Sequence, residues 1–294
     1  MRVDGTVFTH YRGDETEVTV ALSEDKEAYT GIAAKAFLSC KTIQKLEIAG
    51  SVAEIGDWAF AHMQNLEVLV LPKREIVFGK KVFLNCGRLA QILVQGDNTG
   101  NPGLPFFLAA SVRDLQQEEL LRPHEAGEEK THKDWMKDYD RALFRYLEAP
   151  DETGFDPVFF GWFKVEDIDD QMPVFLRKKR RIKAALILLR LLYPMHLTDE
   201  NQEKLYAYVR AAVPSKEEGK IHTAVYDLFC EEDSPYTENI RYLQILKESG
   251  ALDSDLEGLL LENMKNASAE LRGYLLREKS EEGKKTDFFA DFTL

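Results

Sequence analysis

The chain has 294 residues, room for two domains at the usual ~100–200 residues each. Its 44% hydrophobic and 30% charged residues are the composition of a globular protein that buries real cores, not of a disordered or fibrous one. A formal charge of −13 excludes a nucleic-acid backbone as the main ligand, because phosphate binding calls for a basic field.

The acidity is uneven: 11 Lys+Arg against 13 Asp+Glu leave residues 1–103 at −2, so residues 104–294 carry −11. Residues Met1 to Thr6 hold no apolar stretch of the kind a secretory signal needs. The longest apolar run, Ala184 to Leu189, stops at Arg190, far short of the ~20 residues of a membrane span. Three cysteines (Cys40, Cys86 and Cys230) form no CxxC pair. The expectation is a cytoplasmic protein with reduced thiols and no membrane association.

In chain order, the first element is an alternating strand at Val18-x-Val20, and a 23-residue step follows. Ala36-Phe37, Ala59-Phe60 and Val82-Phe83 recur at that step, as do Ile32, Ile55 and Phe78. So do Ala33, Gly56 and Gly79; Cys40, Met63 and Cys86; Ile43, Leu66 and Leu89; Leu46, Leu69 and Ile92; and Ile48, Leu71 and Val94. A unit this short cannot bury its own apolar side, so equivalent units must stack to make a core. Leu46-x-Ile48, Leu69-x-Leu71 and Ile92-x-Val94 alternate as half-buried strands do. The Ala-Phe segment reads as a short helical turn on the opposite wall, with Gly56 and Gly79 at a tight corner. Val18 lies five residues too far upstream for the step, which predicts a bulging loop around Ser23 to Ala28 in a capping unit.

Ile55-Gly56-Asp57-Trp58-Ala59-Phe60 followed by Asn65-Leu66-Glu67-Val68-Leu69-Val70-Leu71-Pro72 resembles the BspA-type leucine-rich repeat, whose unit runs I-G-x-x-A-F-x-x-C-x-x-L-x-x-I-x-I-P. The resemblance covers about residues 15–96 and departs at Met63, Phe78 and Val82, each still apolar. It implies a curved right-handed solenoid of about three to four rungs and, usually, recognition of a protein or ligand. Cys40 and Cys86 fall two rungs apart in one column, ~9–10 Å at ~4.8 Å per strand, too far for a disulfide. They read as core.

If Leu46, Leu69 and Ile92 face inward, their neighbours form two outward columns on the strand face: Lys45, Val68, Gln91 and Glu47, Val70, Leu93. Val68, Val70 and Leu93 make that face apolar, which marks a contact made either by the chain's own helical half or by a foreign protein. These six residues are the candidate partner-binding site.

Gln95 to Gly103 concentrates turn residues and ends the repeat, dividing the chain into a leucine-rich-repeat domain (1–103) and a helical domain (104–294). The expected helices are a short one at Leu115 to Arg122, Trp135 to Leu147, and a long one from Pro173 to Tyr193 with proline at its start. Three more run from Thr198, from Asn239 to Ser249 with a glycine cap at Gly250, and from Asp253 or Ser254; Ser268 starts the last, with Leu271, Tyr274, Leu275 and Leu276 inward. Tyr242 to Leu252 loosely resembles an ankyrin-type helix pair. The fold class is thus an α/β leucine-rich-repeat solenoid followed by an all-α domain with ankyrin-like helix hairpins.

No HExxH, GxSxG, Walker A or GxGxxG string occurs. His124 and His132 flank an acidic loop that reads as solvated, and Asp167-Ile168-Asp169-Asp170 lacks the glycine and terminal Glu of a calcium loop, so neither a metal nor a cofactor is expected. The basic run Arg177-Lys178-Lys179-Arg180-Arg181 with Lys183 reads as a polar helix face neutralised by the acidic segment before it. Phe155 to Phe163 holds five aromatics that read as buried packing, and the acidic, aromatic tail Asp287 to Leu294 reads as folded back on its own helices. The leading expectation is a non-catalytic module that binds a protein partner through the solenoid sheet face, the helical half or both. The alternative is an enzyme or small-ligand receptor with a site between the halves, built from Trp162, Tyr193, Asp167, Asp169 and Asp170.

Overall fold

The computed structural model describes residues 6–21, 26–95, 103–121, 132–155, 168–213, 224–231, 234–264 and 267–277. The chain divides into two compact units, Met1–Tyr146 and Leu147–Leu294.

The first unit winds its strands into two parallel sheets. One holds β1 (Thr6–Phe8), β3 (Tyr29–Ile32), β5 (Glu54–Ile55) and β7 (Val77–Phe78) in that order; the other holds β2 (Glu17–Val20), β4 (Lys45–Ile48), β6 (Val68–Leu71) and β8 (Gln91–Val94). Odd and even strands alternate along the chain, so each turn of the coil adds one strand to each sheet. The pairing restates the 23-residue step: Leu46 opposes Leu69, and Leu69 opposes Ile92. Val18 opposes Leu46 across 28 residues, so the five extra residues lie between β2 and β3; the β2–β4 register is regular, while β3 meets β1 with a one-residue shift between Thr6 and Val7. Of the expected loop, Ser23 to Asp25 lie outside the described residues.

Inside the coil the columns are dry. Phe37, Phe60, Leu46, Leu69, Ile92, Ile43, Leu66 and Leu89 are fully buried. Phe8, Phe37, Phe60 and Phe83 form one ladder with ring centroids 5.0, 5.8 and 5.6 Å apart. Contacts of this kind add about 0.5–1.5 kcal/mol per pair to what burial already supplies. The thiols are free, and Cys86 donates to the Phe60 carbonyl at 3.1 Å. Burial pushes its pKa up to about 12, so it is an inert packing group.

The Ala-Phe wall is not helical. Each passage is a run of consecutive turns, at 34–39, 57–62 and 80–85. Alternate N–H groups close local turns (Ala36 to Ala33, Leu38 to Lys35, Cys40 to Phe37), while those between them reach the next rung. Lys35, Phe37 and Ser39 donate to Asp57, Ala59 and Ala61; Trp58, Phe60 and His62 donate to Lys80, Val82 and Leu84. Aiming alternate amides along the stack requires a left-handed residue at regular intervals. Lys35, Trp58 and Lys81 (φ 63°, 61° and 54°) and Ser39, His62 and Asn85 (φ 62°, 62° and 57°) supply it at the 23-residue step. Each costs about 1–2 kcal/mol for a residue with a Cβ, offset by the inter-rung bond it permits. A helix would have spent those amides within one rung and left the rungs unjoined here.

Gly56 and Gly79 sit at the corner for a different reason from backbone freedom. A Cβ on Gly56 would lie 2.5 Å from the Ala34 nitrogen, and one on Gly79 would lie 2.5 Å from the Asp57 nitrogen. The rungs approach too closely there for any side chain.

The last rung has no successor, yet Phe83, Leu89 and Ile92 are at most 2% exposed. The helix α1 (Leu104–Arg113) packs along β8 with Leu104, Phe107, Leu108 and Val112 buried, and Arg113 donates to the Leu89 carbonyl at 2.8 Å. Tyr139 of α2 (His132–Glu148) meets Phe107 edge-on with centroids 5.0 Å apart. The sequence pattern places the boundary at residue 103 and a helix at Leu115 to Arg122. The change to helix does fall at Leu104, but the compact unit runs on to Tyr146, because α1 packs on the solenoid and α2 on α1. Instead of a helix after Leu115, there is one 3-10 turn, Glu118–Leu121. The apolar content of α1 is nearly continuous, which hid its period.

The second unit is helical: α3 (Ile168–Leu192), α4 (Asp199–Ala211), α5 (Ala224–Cys230), α6 (Arg241–Glu248), α7 (Ser254–Asn263) and α8 (269–277). Buried residues recur at helical spacing: Ala184, Ile187, Leu188 and Leu191; Leu205 and Val209; Val225 and Phe229; Leu243 and Leu246; Leu256 and Leu260; Leu271 and Leu275. The α3 helix is the hub, packing on α4, α5 and α6, while α7 packs on α5. It begins five residues before Pro173, which therefore lies inside it. Thr198 caps α4 by accepting from the Asn201 amide at 3.2 Å, Asp253 caps α7, and Gly250 (φ 72°) closes α6. Leu276, expected inward, is 58% exposed. The sequence pattern also missed α5, only seven residues long.

Ion pairs tie α3 to its neighbours. Arg177 grips the buried Asp227 with both nitrogens, at 2.7 and 2.8 Å. Arg180 meets Asp151 at 2.6 Å, and Arg181 pairs with Glu231. Lys183 donates to Asp151 at 2.8 Å and to the carbonyls of Leu147 and Ala149. Asp151, Asp227 and Glu231 thus pair with Arg177, Arg180, Arg181 and Lys183 of the basic run, while the side chains of the acidic segment before it lie outside the described ones. The fully buried Arg190 donates to the Tyr193 and Met195 carbonyls at the end of α3, where a cation complements the negative end of the helix dipole.

Two outcomes follow. Gly79→Ala lowers unfolding free energy by about 2–3 kcal/mol in chemical denaturation, while Gly87→Ala, whose Cβ meets nothing within 4 Å, changes it by less than about 0.5. For Asp151, burial alone would raise the pKa, but hydrogen bonds from Lys183 and Arg180 outweigh it and hold the carboxyl below its ordinary 3.8. A depressed carboxyl stabilises the fold above its unfolded pKa and loses that contribution as pH falls through the folded value. Asp151→Asn therefore costs about 1–2 kcal/mol at neutral pH in urea titrations, and the gap to wild type closes below pH 3.8.

Candidate interaction surface

The outward face of the β2-β4-β6-β8 sheet follows from the register. Because side chains alternate across a strand, fixing Leu46, Leu69 and Ile92 inside turns their neighbours out. Lys45 opposes Val68, which opposes Gln91; Glu47 opposes Val70, which opposes Leu93. All six predicted residues therefore lie in two adjacent columns on one face. Glu17 and Thr19 of β2 extend those columns by one rung.

The face is graded in chemistry. Toward β2 the polar groups engage one another: Lys45 Nζ lies 3.5 Å from Glu17 Oε2, a solvent-exposed pair. Gln95, which sequence reasoning did not single out, donates to Glu47 Oε1 at 3.0 Å across two rungs. Toward β8 the face turns apolar, with Val68 and Val70 half-buried and Leu93 36% exposed. Its charged members Lys45 and Glu47 thus have partners on the face itself.

A second feature lies on the turn wall. Lys35, Leu38, Ser39, Trp58 and His62 line an open depression of about 470 Å³. Lys81 Nζ sits 5.2 Å from the centre of the Trp58 ring, and the Asn85 amide lies 3.2 Å from His62 Nδ1. Lys35, Trp58 and Lys81 form one column, as do Ser39, His62 and Asn85. The signal was present in the sequence as two further 23-residue columns, but reading the wall as helical hid that they face one way.

Of the alternative site, Trp162 and Asp167 lie outside the described residues, Asp169 and Asp170 fall in the first turn of α3, and Tyr193 follows its end. The His124 loop, most of the aromatic cluster and the tail from Asp287 also lie outside them. Among the described residues, no group of three or more His, Cys, Asp or Glu side chains is placed to hold a metal ion. No described helix is long and apolar enough to cross a membrane.

If the alternation is as described, Leu69→Ala costs about 3 kcal/mol or more in thermal or chemical unfolding, whereas Val70→Ser on the next position costs less than about 1. Similar losses at the two positions would contradict the assigned faces.

A family model described as BspA type Leucine rich repeat region (6 copies) matches residues 22–103, so the N-terminal part is a BspA-type leucine-rich-repeat region. A crystal structure of a T. pallidum leucine-rich-repeat protein (TpLRR) is 28% identical over 31% of this chain and 42% of that one, with a TM-score of 0.28. The chain thus spans less than half the length of that protein. No curated protein matches the chain.

Proposed function

We propose that this leucine-rich-repeat protein is a non-catalytic interaction module that binds a protein partner through the outward face of its β2-β4-β6-β8 sheet. The observation that carries this reading is the register that gathers Val68, Val70 and Leu93 on one face beside Lys45, Glu47 and Gln91. Contiguous apolar groups on an open sheet face are the kind of patch that marks a contact. A parallel sheet built from identical rungs is also stiff, so little ordering entropy is lost on binding. Leucine-rich repeats generally serve protein–protein interaction, which supports the same reading.

In this reading the aliphatic patch supplies affinity, and Lys45, Glu47 and Gln91 at its rim set orientation. No metal or cofactor takes part, and the partner is neither nucleic acid nor membrane.

The test is a capture experiment with the immobilised protein, comparing wild type, Val70→Asp and Val77→Asp, the last on the other sheet. Val70→Asp abolishes capture of a specific partner, a drop of tenfold or more, while Val77→Asp retains it and all three melt alike. Capture that is equal for wild type and Val70→Asp would remove this face from the mechanism.

A further inference from the structure

The turn wall differs from the sheet face in charge as well as shape. Across the three passages that follow β3, β5 and β7 (33–44, 56–67 and 79–90), Lys35, Lys41, Lys80, Lys81 and Arg88 are exposed against two carboxylates, Asp57 and Glu67, while the first passage (9–16) adds Arg12, Asp14 and Glu15. Asp57 is further occupied, because its Oδ1 accepts from the Lys80 backbone at 2.7 Å. The chain as a whole carries −13, so a basic wall runs against its own composition. Neither Lys35 nor Lys81 has a carboxylate partner among the described residues; Lys81 instead lies over the Trp58 ring.

From this we infer that the depression around Trp58 is a second docking site, for an acidic peptide segment of a partner protein that carries an aromatic side chain between its carboxylates. Three features argue for that occupant. The lining is largely apolar around Trp58 and Leu38, which suits a ring packed against the indole. The two ammoniums flank Trp58 in the same column, one rung to each side, so their backbones stand ~10 Å apart at ~4.8 Å per rung. Carboxylates two residues to either side of a Phe lie on one side of an extended chain, ~13 Å apart, within reach of flexible lysine arms. The left-handed backbone at Lys35, Trp58 and Lys81 also holds this column in fixed register with the rungs, so the site is formed before the ligand arrives. It is independent of the sheet face and stands whether or not that face binds.

The experiment uses the full chain and a fluorescein-labelled peptide, Ser-Glu-Thr-Phe-Thr-Glu-Ser, followed by anisotropy. Saturable binding is expected, weakened at least tenfold by the exposed pair Lys35→Glu with Lys81→Glu. Replacing the peptide's Phe by Ser weakens it at least fivefold, and Val70→Asp leaves it unchanged. Lack of saturation, equal affinity in the double variant, or indifference to the Phe overturns the inference. So does a heparin fragment that binds more tightly than the peptide, since that would make the wall a general polyanion surface. Because Lys35 and Lys81 are exposed, their variants are expected to melt as wild type does; should they not, Trp58→Phe, which keeps an apolar floor but shrinks it, must weaken binding at least threefold for the inference to survive.

Discussion

Everything in the first unit depends on the hydrogen bonds that join one rung to the next. A single 23-residue turn of chain encloses too little to keep Phe60 or Leu69 dry, so each rung is stable only as the lid of another. The chain meets this with three sets of inter-rung bonds instead of two: both parallel sheets, and the alternate amides of the turn wall. The third set explains features that otherwise look like defects. Six residues with side chains adopt left-handed backbone, and two glycines leave room where the strands of chain nearly touch. Local strain is accepted where it lets a neighbour pair.

The repeat was legible in the sequence because stacking forces one residue class into each column. The Phe37, Phe60, Phe83 ladder, the Leu46, Leu69, Ile92 spine and the five-residue offset at Val18 all appear in the pairing as the spacing predicts. The conformation of the turn wall was not legible. Ala-Phe with Cys or Met three residues on has helical spacing, and nothing in the residue types of Lys35, Trp58 or Lys81 announces a positive φ. Glycine or asparagine would have, and of the six left-handed positions only Asn85 carries either.

In the helical unit, capped helices were read correctly and uncapped ones poorly. Thr198, Asp253 and Gly250 make the expected caps, because capping is a local chemistry of one or two residues. The start of α3 was misplaced because Pro173 is tolerated inside it. The basic run illustrates a different limit: its neutral surroundings were foreseeable from composition, but its partners Asp151, Asp227 and Glu231 lie 29 to 50 residues away in sequence. Tertiary pairing at that distance leaves no trace in a single chain. For the same reason the six residues of the sheet face could be named in advance, whereas Gln95, which reaches Glu47 across two rungs, could not.

The offset between β2 and β3 shows where this architecture tolerates change. Five residues enter there, and Val18 still opposes Leu46 while Gly31 still opposes Glu54. The β2–β4 and β3–β5 registers are therefore set by the strands themselves and not by the number of residues between β2 and β3. The equivalent connections after β4 and β6 are more tightly held: they bury Val52 and Ile76, and Ser51 and Arg74 bond to the rung before. A lineage could lengthen the connection between β2 and β3, or an engineer could graft a recognition segment there, while β2 and β4 keep their pairing. The opposite corner, where Gly56 and Gly79 press against the preceding rung, admits no such variation.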